Sequence, residues 1–150
     1  MIELFPRNAQ TAVSGLEFPV QGLVTVLVAV HKPQVREALI ATIETMEGFE
    51  VVGEASSEDE AVASARRLRP VLALVDEDLP SCCGAWTIQT LAEERLARGI
   101  VGIGLRGNGG IRARAAGADA YVQTGASTEE LQQALRSAAA FSLPLPHLLR

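Results

Sequence analysis

The sequence predicts an α/β fold, a doubly wound, five-stranded parallel sheet in a single domain. Three observations point there. Short apolar or β-branched runs alternate five times with helix-patterned stretches. The connections are short, and right-handed crossovers turn such an alternation into a parallel sheet covered on both faces. The chain has 150 residues, 48 % of them hydrophobic, which suffices for one core and is too apolar for disorder.

Each element has a local reason. Residues 1–23 hold scattered Pro, Gly and polar residues without sustained periodicity and read as an N-terminal extension. Residues 24–30 (VTVLVAV) form a β-branched run short enough for a buried strand. Pro33 suits the first turn of a helix whose inner face carries Val35, Leu39, Thr42, Ile43 and Met46, with Gly48 ending it. Residues 49–55 are a second strand. Ser57 and Glu60 then form a capping box before a helix with Val62, Ala65 and Leu68 inward, which Pro70 stops. Residues 71–75 (VLALV) are apolar throughout, as a central strand requires.

A loop from Asp76 to Gly84 leads into a helix holding Trp86, Leu91 and Leu96. Residues 100–104 read as a fourth strand weakened by two glycines, followed by a glycine-rich turn and a short, poorly formed helix near 111–116. Residues 120–123 are the fifth strand. Ser127 and Glu130 open a last helix with Leu131, Ala134, Leu135 and Ala138 inward. The globular domain is thus expected over 24–140, with 141–150 as a tail or linker.

Composition excludes several functions. A net charge of −5 argues against a nucleic-acid-binding surface on this segment. No apolar run approaches the ~20 residues a membrane span needs, and MIELFPRNAQ lacks the basic and apolar regions of a secretory signal. Cys82 and Cys83 are adjacent and cannot staple distant segments. The expectation is a cytoplasmic domain with no membrane partner. In a doubly wound sheet the functional crevice lies beyond the carboxyl ends of the strands, where strand order reverses. That directs attention to His31, Asp76, Leu105 and Thr124.

Four stretches carry a family resemblance: residues 26–39 (VLVAVHKPQVREAL), 51–56 (VVGEAS), 69–84 (RPVLALVDEDLPSCCG) and 116–127 (AGADAYVQTGAS). The third reproduces a strand, an aspartate and a D-x-x-L-P-x-x-x-G loop. Together they resemble the receiver domain of bacterial two-component response regulators, whose fold is flavodoxin-like. The likeness is closest to the subfamily in which a LuxR-type helix-turn-helix domain follows, and residues 138–150 (AAAFSLPLPHLLR) resemble its connector. The resemblance implies signal transduction and transcription regulation, a protein partner or the protein's own output domain, and homodimers through receiver helices. DNA contact would come only through a helix-turn-helix domain that these residues do not contain.

By resemblance Asp76 stands at the phosphoacceptor position. Phosphoryl transfer there needs a divalent cation held by carboxylates, plus a hydroxyl and a cation for the product oxygens. The acid-pair positions hold Val30 and His31, and no carboxylate occurs between Glu17 and Glu37. Gly104 or Leu105 falls at the hydroxyl position and Thr124 at the lysine position. Lys32 is the chain's single lysine and lies on another loop, which leaves only Arg106 as a substitute cation. Losing the metal and the ammonium should slow transfer on the order of 10³-fold or more. The domain is therefore expected to regulate through protein contacts, with no aspartyl phosphorylation, catalytic residue, metal or cofactor. In conventional receivers the phosphate draws the fourth-strand hydroxyl inward and repacks the face around the fourth helix; without that hydroxyl the switch looks dismantled. The rivals are a small-molecule sensor using the emptied pocket and a conventional receiver phosphorylated on Asp76.

Bland readings compete with sharper ones elsewhere. Glu77 and Asp78 read as solvated loop acids ahead of a rescued cation site. A metal or redox role for Cys82 and Cys83 is disfavoured because zinc ligands are normally separated by two to four residues. Gly102 to Gly107 spells G-x-G-x-x-G but overlaps the fourth strand, so a flexible loop is preferred to a dinucleotide site. Arg112 and Arg114 read as a solvated face, Trp86 as packing, and His147 lies in the tail.

Overall fold

The computed structural model describes residues 2–4, 23–80, 84–105 and 109–142. Its elements, in chain order, are β1 (Ile2–Leu4), β2 (Val24–Ala29), α1 (Pro33–Glu44), β3 (Phe49–Ala55), α2 (Glu58–Leu68), β4 (Leu72–Asp76), α3 (Gly84–Glu93), β5 (Gly99–Gly104), α4 (Gly109–Ala116), β6 (Ala120–Gln123) and α5 (Thr128–Ser142). They build one sheet in the order β1-β6-β5-β4-β2-β3. β2 through β6 are parallel, so the expected five-stranded doubly wound sheet is present. The chain starts that parallel sheet one strand in from the edge, runs out to β3, then crosses back over β2 to β4. The reversal point lies between β2 and β4, whose carboxyl ends bear His31 and Asp76.

The alternation of side chains makes two cores. Leu27, Ala73, Val75, Ile100 and Tyr121 point to the face covered by α2, α3 and α4, where Val62, Ala65, Ile88, Leu91 and Ala113 meet them. Val26, Val28, Leu72, Leu74, Val101 and Ile103 point to the opposite face, under Ile43 of α1 and Leu131, Ala134, Leu135 and Ala138 of α5. Buried on both faces, the central strands read as continuous apolar runs. Asp119, also buried, accepts the Ile100 N–H at 2.8 Å and pins the start of β5 to the approach of β6.

Several sequence-based expectations are corrected. Ile2–Leu4, placed in an extension, pairs antiparallel with β6 through Ile2↔Val122, Glu3↔Tyr121 and Leu4↔Ala120. Helix α1 ends at Glu44, and Gly48 serves the following turn at φ +93°, a conformation that favours glycine. Leu96 is buried but lies past the end of α3, and Trp86, on that helix, is 42 % exposed instead of packed. Helix α4 begins two residues before the expected 111, at Gly109.

Both capping boxes form, in two variants. The Ser127 hydroxyl accepts from Glu130 N–H at 3.1 Å while Glu130 accepts from Ser127 N–H at 3.1 Å. In the other box Ser57 accepts from Glu60 N–H at 3.3 Å, but the Glu60 carboxylate reaches one residue further back, to Ser56 N–H at 2.8 Å and its hydroxyl at 3.0 Å. These N–H donors hold both carboxyls below the usual 4.5, Ser56 N–H for Glu60 and Ser127 N–H for Glu130. A carboxyl with a depressed folded-state pKa stabilises the fold above its unfolded value, and that contribution fades as pH falls through the folded value. Melting temperature should therefore drop as pH is lowered below about 4.5, and Glu60→Gln with Glu130→Gln should flatten the slope in a pH series of thermal melts.

Candidate functional site

An open cleft of about 130 Å³ sits at the reversal point, lined by Val30, His31, Lys32, Val35, Asp76, Asp78, Ile103, Leu105 and Thr124. Four segments build it. The β2–α1 connection supplies Val30 to Lys32, the end of β4 supplies Asp76 and Asp78, the end of β5 supplies Ile103 and Leu105, and the end of β6 supplies Thr124. Val30 and Ile103 are buried in its floor, whereas Leu105 overhangs it and is exposed. The residues singled out from the sequence, Val30, His31, Asp76, Leu105 and Thr124, are thus brought together.

Asp76 is held by the backbone. One carboxylate oxygen accepts from Asp78 N–H at 2.9 Å, the other from His31 N–H at 3.3 Å. These two bonds tie the β4–α3 loop to the β2–α1 loop. Arg36, unremarked in the sequence, fixes the second loop from beneath. Its guanidinium donates to the carbonyls of Val30 at 2.8 Å and His31 at 3.2 Å, and to Glu54 at 2.9 Å. The His31 ring stands with Nδ1 3.3 Å from the Ser56 carbonyl oxygen.

The register separates the two residues competing for the hydroxyl position. Asp76 pairs with Ile103, Gly104 comes next and Leu105 follows. Leu105 lines the cleft, while a Cβ built on Gly104 would collide with the Glu77 side chain. Neither residue supplies a hydroxyl. Thr124 does carry one, and its N–H donates to the Gly104 carbonyl at 2.7 Å, closing the ends of β5 and β6 together.

Glu77 is a clear departure from the sequence reading. It is buried, not a solvated loop acid: its side chain is only 7 % exposed. The carboxylate lies under the end of β5, where it accepts from Tyr121 Oη at 3.1 Å and from Arg112 Nη2 at 2.9 Å. Arg112 is likewise an ion-pair partner, although half its side chain still meets solvent. A buried carboxylate requires such partners, and both are more than thirty residues away in sequence. Asp78 is exposed, as expected for a loop acid. Cys82, Cys83, Arg106, Gly107 and His147 lie outside the described residues. Among the described residues no three His, Cys, Asp or Glu side chains group as metal ligands, and no helix is long and apolar enough to cross a membrane.

Comparison with known proteins agrees with this architecture. The chain is 31 % identical over 127 residues to the nitrate/nitrite response regulator protein NarL of Escherichia coli K12, covering 83 % of this chain and 59 % of that protein. It is 28 % identical over 116 residues to the response regulator GacA of Pseudomonas protegens, covering 76 % and 54 %. The chain therefore spans little more than half the length of these relatives. Among solved structures, a LuxR-family two-component response regulator from Aurantimonas sp. SI85-9A1 superposes with a TM-score of 0.74 at 26 % identity, covering 79 % of this chain and 86 % of that one. The receiver domain of a NarL from Mycobacterium tuberculosis shares the fold, with a TM-score of 0.72 at 21 % identity over 79 % and 97 % of the two chains. Residues 26–136 match the family described as response regulator receiver domain. The chain belongs to that family of signal-transduction modules.

Proposed function

We propose that this is an atypical receiver, which regulates through contact with a protein partner or an attached output domain and does not use Asp76 as a phosphoacceptor. One observation carries the reading: the positions around Asp76 are filled by Val30, His31, Leu105 and Thr124, a set with neither a second carboxylate from β2 nor an ammonium from β6. A hard divalent cation seeks several oxygen ligands. Val30 offers none, His31 offers a ring nitrogen, and the second carboxylate lining the cleft, Asp78, comes from the same loop as Asp76 and not from β2. Two carboxylates from one loop and a ring nitrogen are a poor fit for such an ion.

Exposure to acetyl phosphate and Mg²⁺ tests the proposal. Intact-mass spectrometry should show no adduct, and titration with Mg²⁺ and beryllofluoride should leave the NMR signals around Asp76 in place. A saturable, localised response would restore the conventional reading. The apolar floor formed by Val30 and Ile103 favours a small-molecule sensor as a second reading. Size counts against it: about 130 Å³ is well under the ~300–1,000 Å³ of ordinary ligand pockets. A ligand-induced rise in melting temperature across a metabolite panel would reverse that ranking.

A further inference from the structure

Helix α4 is poorly equipped to hold itself in place. It has eight residues, GGIRARAA, two of them glycines in its first turn. Of its side chains only Ala113 is buried, and Ile111 is 72 % exposed. A helix this short gains its stability from attachment to the body. One polar attachment is the Arg112–Glu77 pair, and the same carboxylate bonds the Tyr121 hydroxyl on β6. One acid therefore joins the residue after Asp76 to both α4 and β6.

The acid can lie there because residue 104 is glycine. A Cβ at that position would occupy the space of the Glu77 carboxylate. Beside the cluster the free space is about 10 Å³, lined by Glu77, Gly102, Arg112 and Tyr121 among others, about what one water needs. Tyr121 is 2 % exposed, so its ring lies inward, with its hydroxyl on the carboxylate.

We propose that Glu77 is an internal latch, a carboxylate that keeps Tyr121 inward and α4 docked in one arrangement. The face around α4 is then set by the chain's own acid. This holds whether or not Asp76 accepts phosphate, so its test is independent of the one given above.

Tyr121 is the only tyrosine in the chain, which makes the test specific. With fluorinated tyrosine incorporated, a single ¹⁹F resonance reports the ring, while amide hydrogen exchange reports α4. Glu77→Gln should move the resonance and speed exchange at residues 110–116 about ten- to a hundred-fold, the loss expected for a hydrogen bond to a charged group. Exchange in β2, β4 and α5 should stay at its original rate. Tyr121→Phe, which deletes one oxygen and keeps the ring, should speed α4 exchange in the same direction and guards against a poorly folding Glu77 variant. Gly104→Ala should mimic Glu77→Gln by displacing the acid. Combining Glu77→Gln with Tyr121→Phe should give less than the sum of the single effects. Unchanged α4 exchange in Glu77→Gln and Tyr121→Phe, acceleration spread evenly over the whole sheet, or strictly additive single effects would each overturn the latch.

Discussion

Gly84→Val is expected to unfold the protein at a markedly lower temperature and to displace Asp76. Gly84 opens α3 directly against the end of β4, and its N–H donates to the Glu77 carbonyl at 3.1 Å. A Cβ there would stand 2.6 Å from the Glu77 Cα and 2.8 Å from the Asp76 carbonyl carbon. Both obstacles are main chain, so no side-chain rotation can relieve them. Overpacking that forces the backbone to move costs ~1–3 kcal/mol and occasionally more; this site belongs at the upper end. Thermal melts should register the loss. The amide signals of His31 and Asp78, whose bonds depend on the position of Asp76, should shift with it. A variant that melts like the parent would mean that the β4–α3 loop closes differently.

Leu74→Ala should produce the second large effect, with no change at the cleft. Leu74 lies in β4 between Val28 of β2 and Val101 of β5, fully buried among the residues under α1 and α5. Strands on both sides prevent the site from collapsing around the lost atoms. The expected cost is about 2–5 kcal/mol, a large share of a typical ~5–15 kcal/mol total. At ~2–4 °C per kcal/mol for a chain of this size, the melting temperature should fall by about 4–20 °C. The denaturant midpoint should fall with its slope unchanged. Leu74→Ile, which conserves volume, should cost under ~1.5 kcal/mol.

Much of the fold was legible because its signals are local. The runs at 24–30 and 71–75 are buried on both faces, and the pairs Ser57–Glu60 and Ser127–Glu130 announce helix starts from four residues each. Pro70 marks a stop that the structure realises through Arg69 in the left-handed region at φ 49°. What escaped is what depends on distant partners. Three residues at 2–4 have no strand signal of their own until β6 supplies the other half of the ladder. Glu77 looks like any loop acid until Gly104 vacates room and Arg112 and Tyr121 arrive from later elements.

Topology directs attention to the strand ends where the cleft lies, because a doubly wound sheet has one reversal point. The internal bonding of the cleft was not legible in the sequence. Arg36 reads as an ordinary helix-surface cation, yet it spans from α1 to the Val30 carbonyl and to Glu54 on β3. Trp86 shows the opposite error: the largest side chain of its helix is left outside while Thr87 and Ile88 turn inward.

The antiparallel pairing of Ile2–Leu4 changes how this sheet meets other chains. Without it β6 would present an unsatisfied row of amides and carbonyls on one flank; with it that flank is occupied over three residue pairs. A molecule that extends the ladder on this side would meet β1, a strand of three residues, instead of β6; on the other side it would meet the opposite rim, β3. There it would meet exposed Glu50 and Glu54, the latter paired with Arg36, and charged side chains on an edge disfavour strand addition. A second strand-bearing chain would thus find a border of three residues on one side and a border carrying acids on the other.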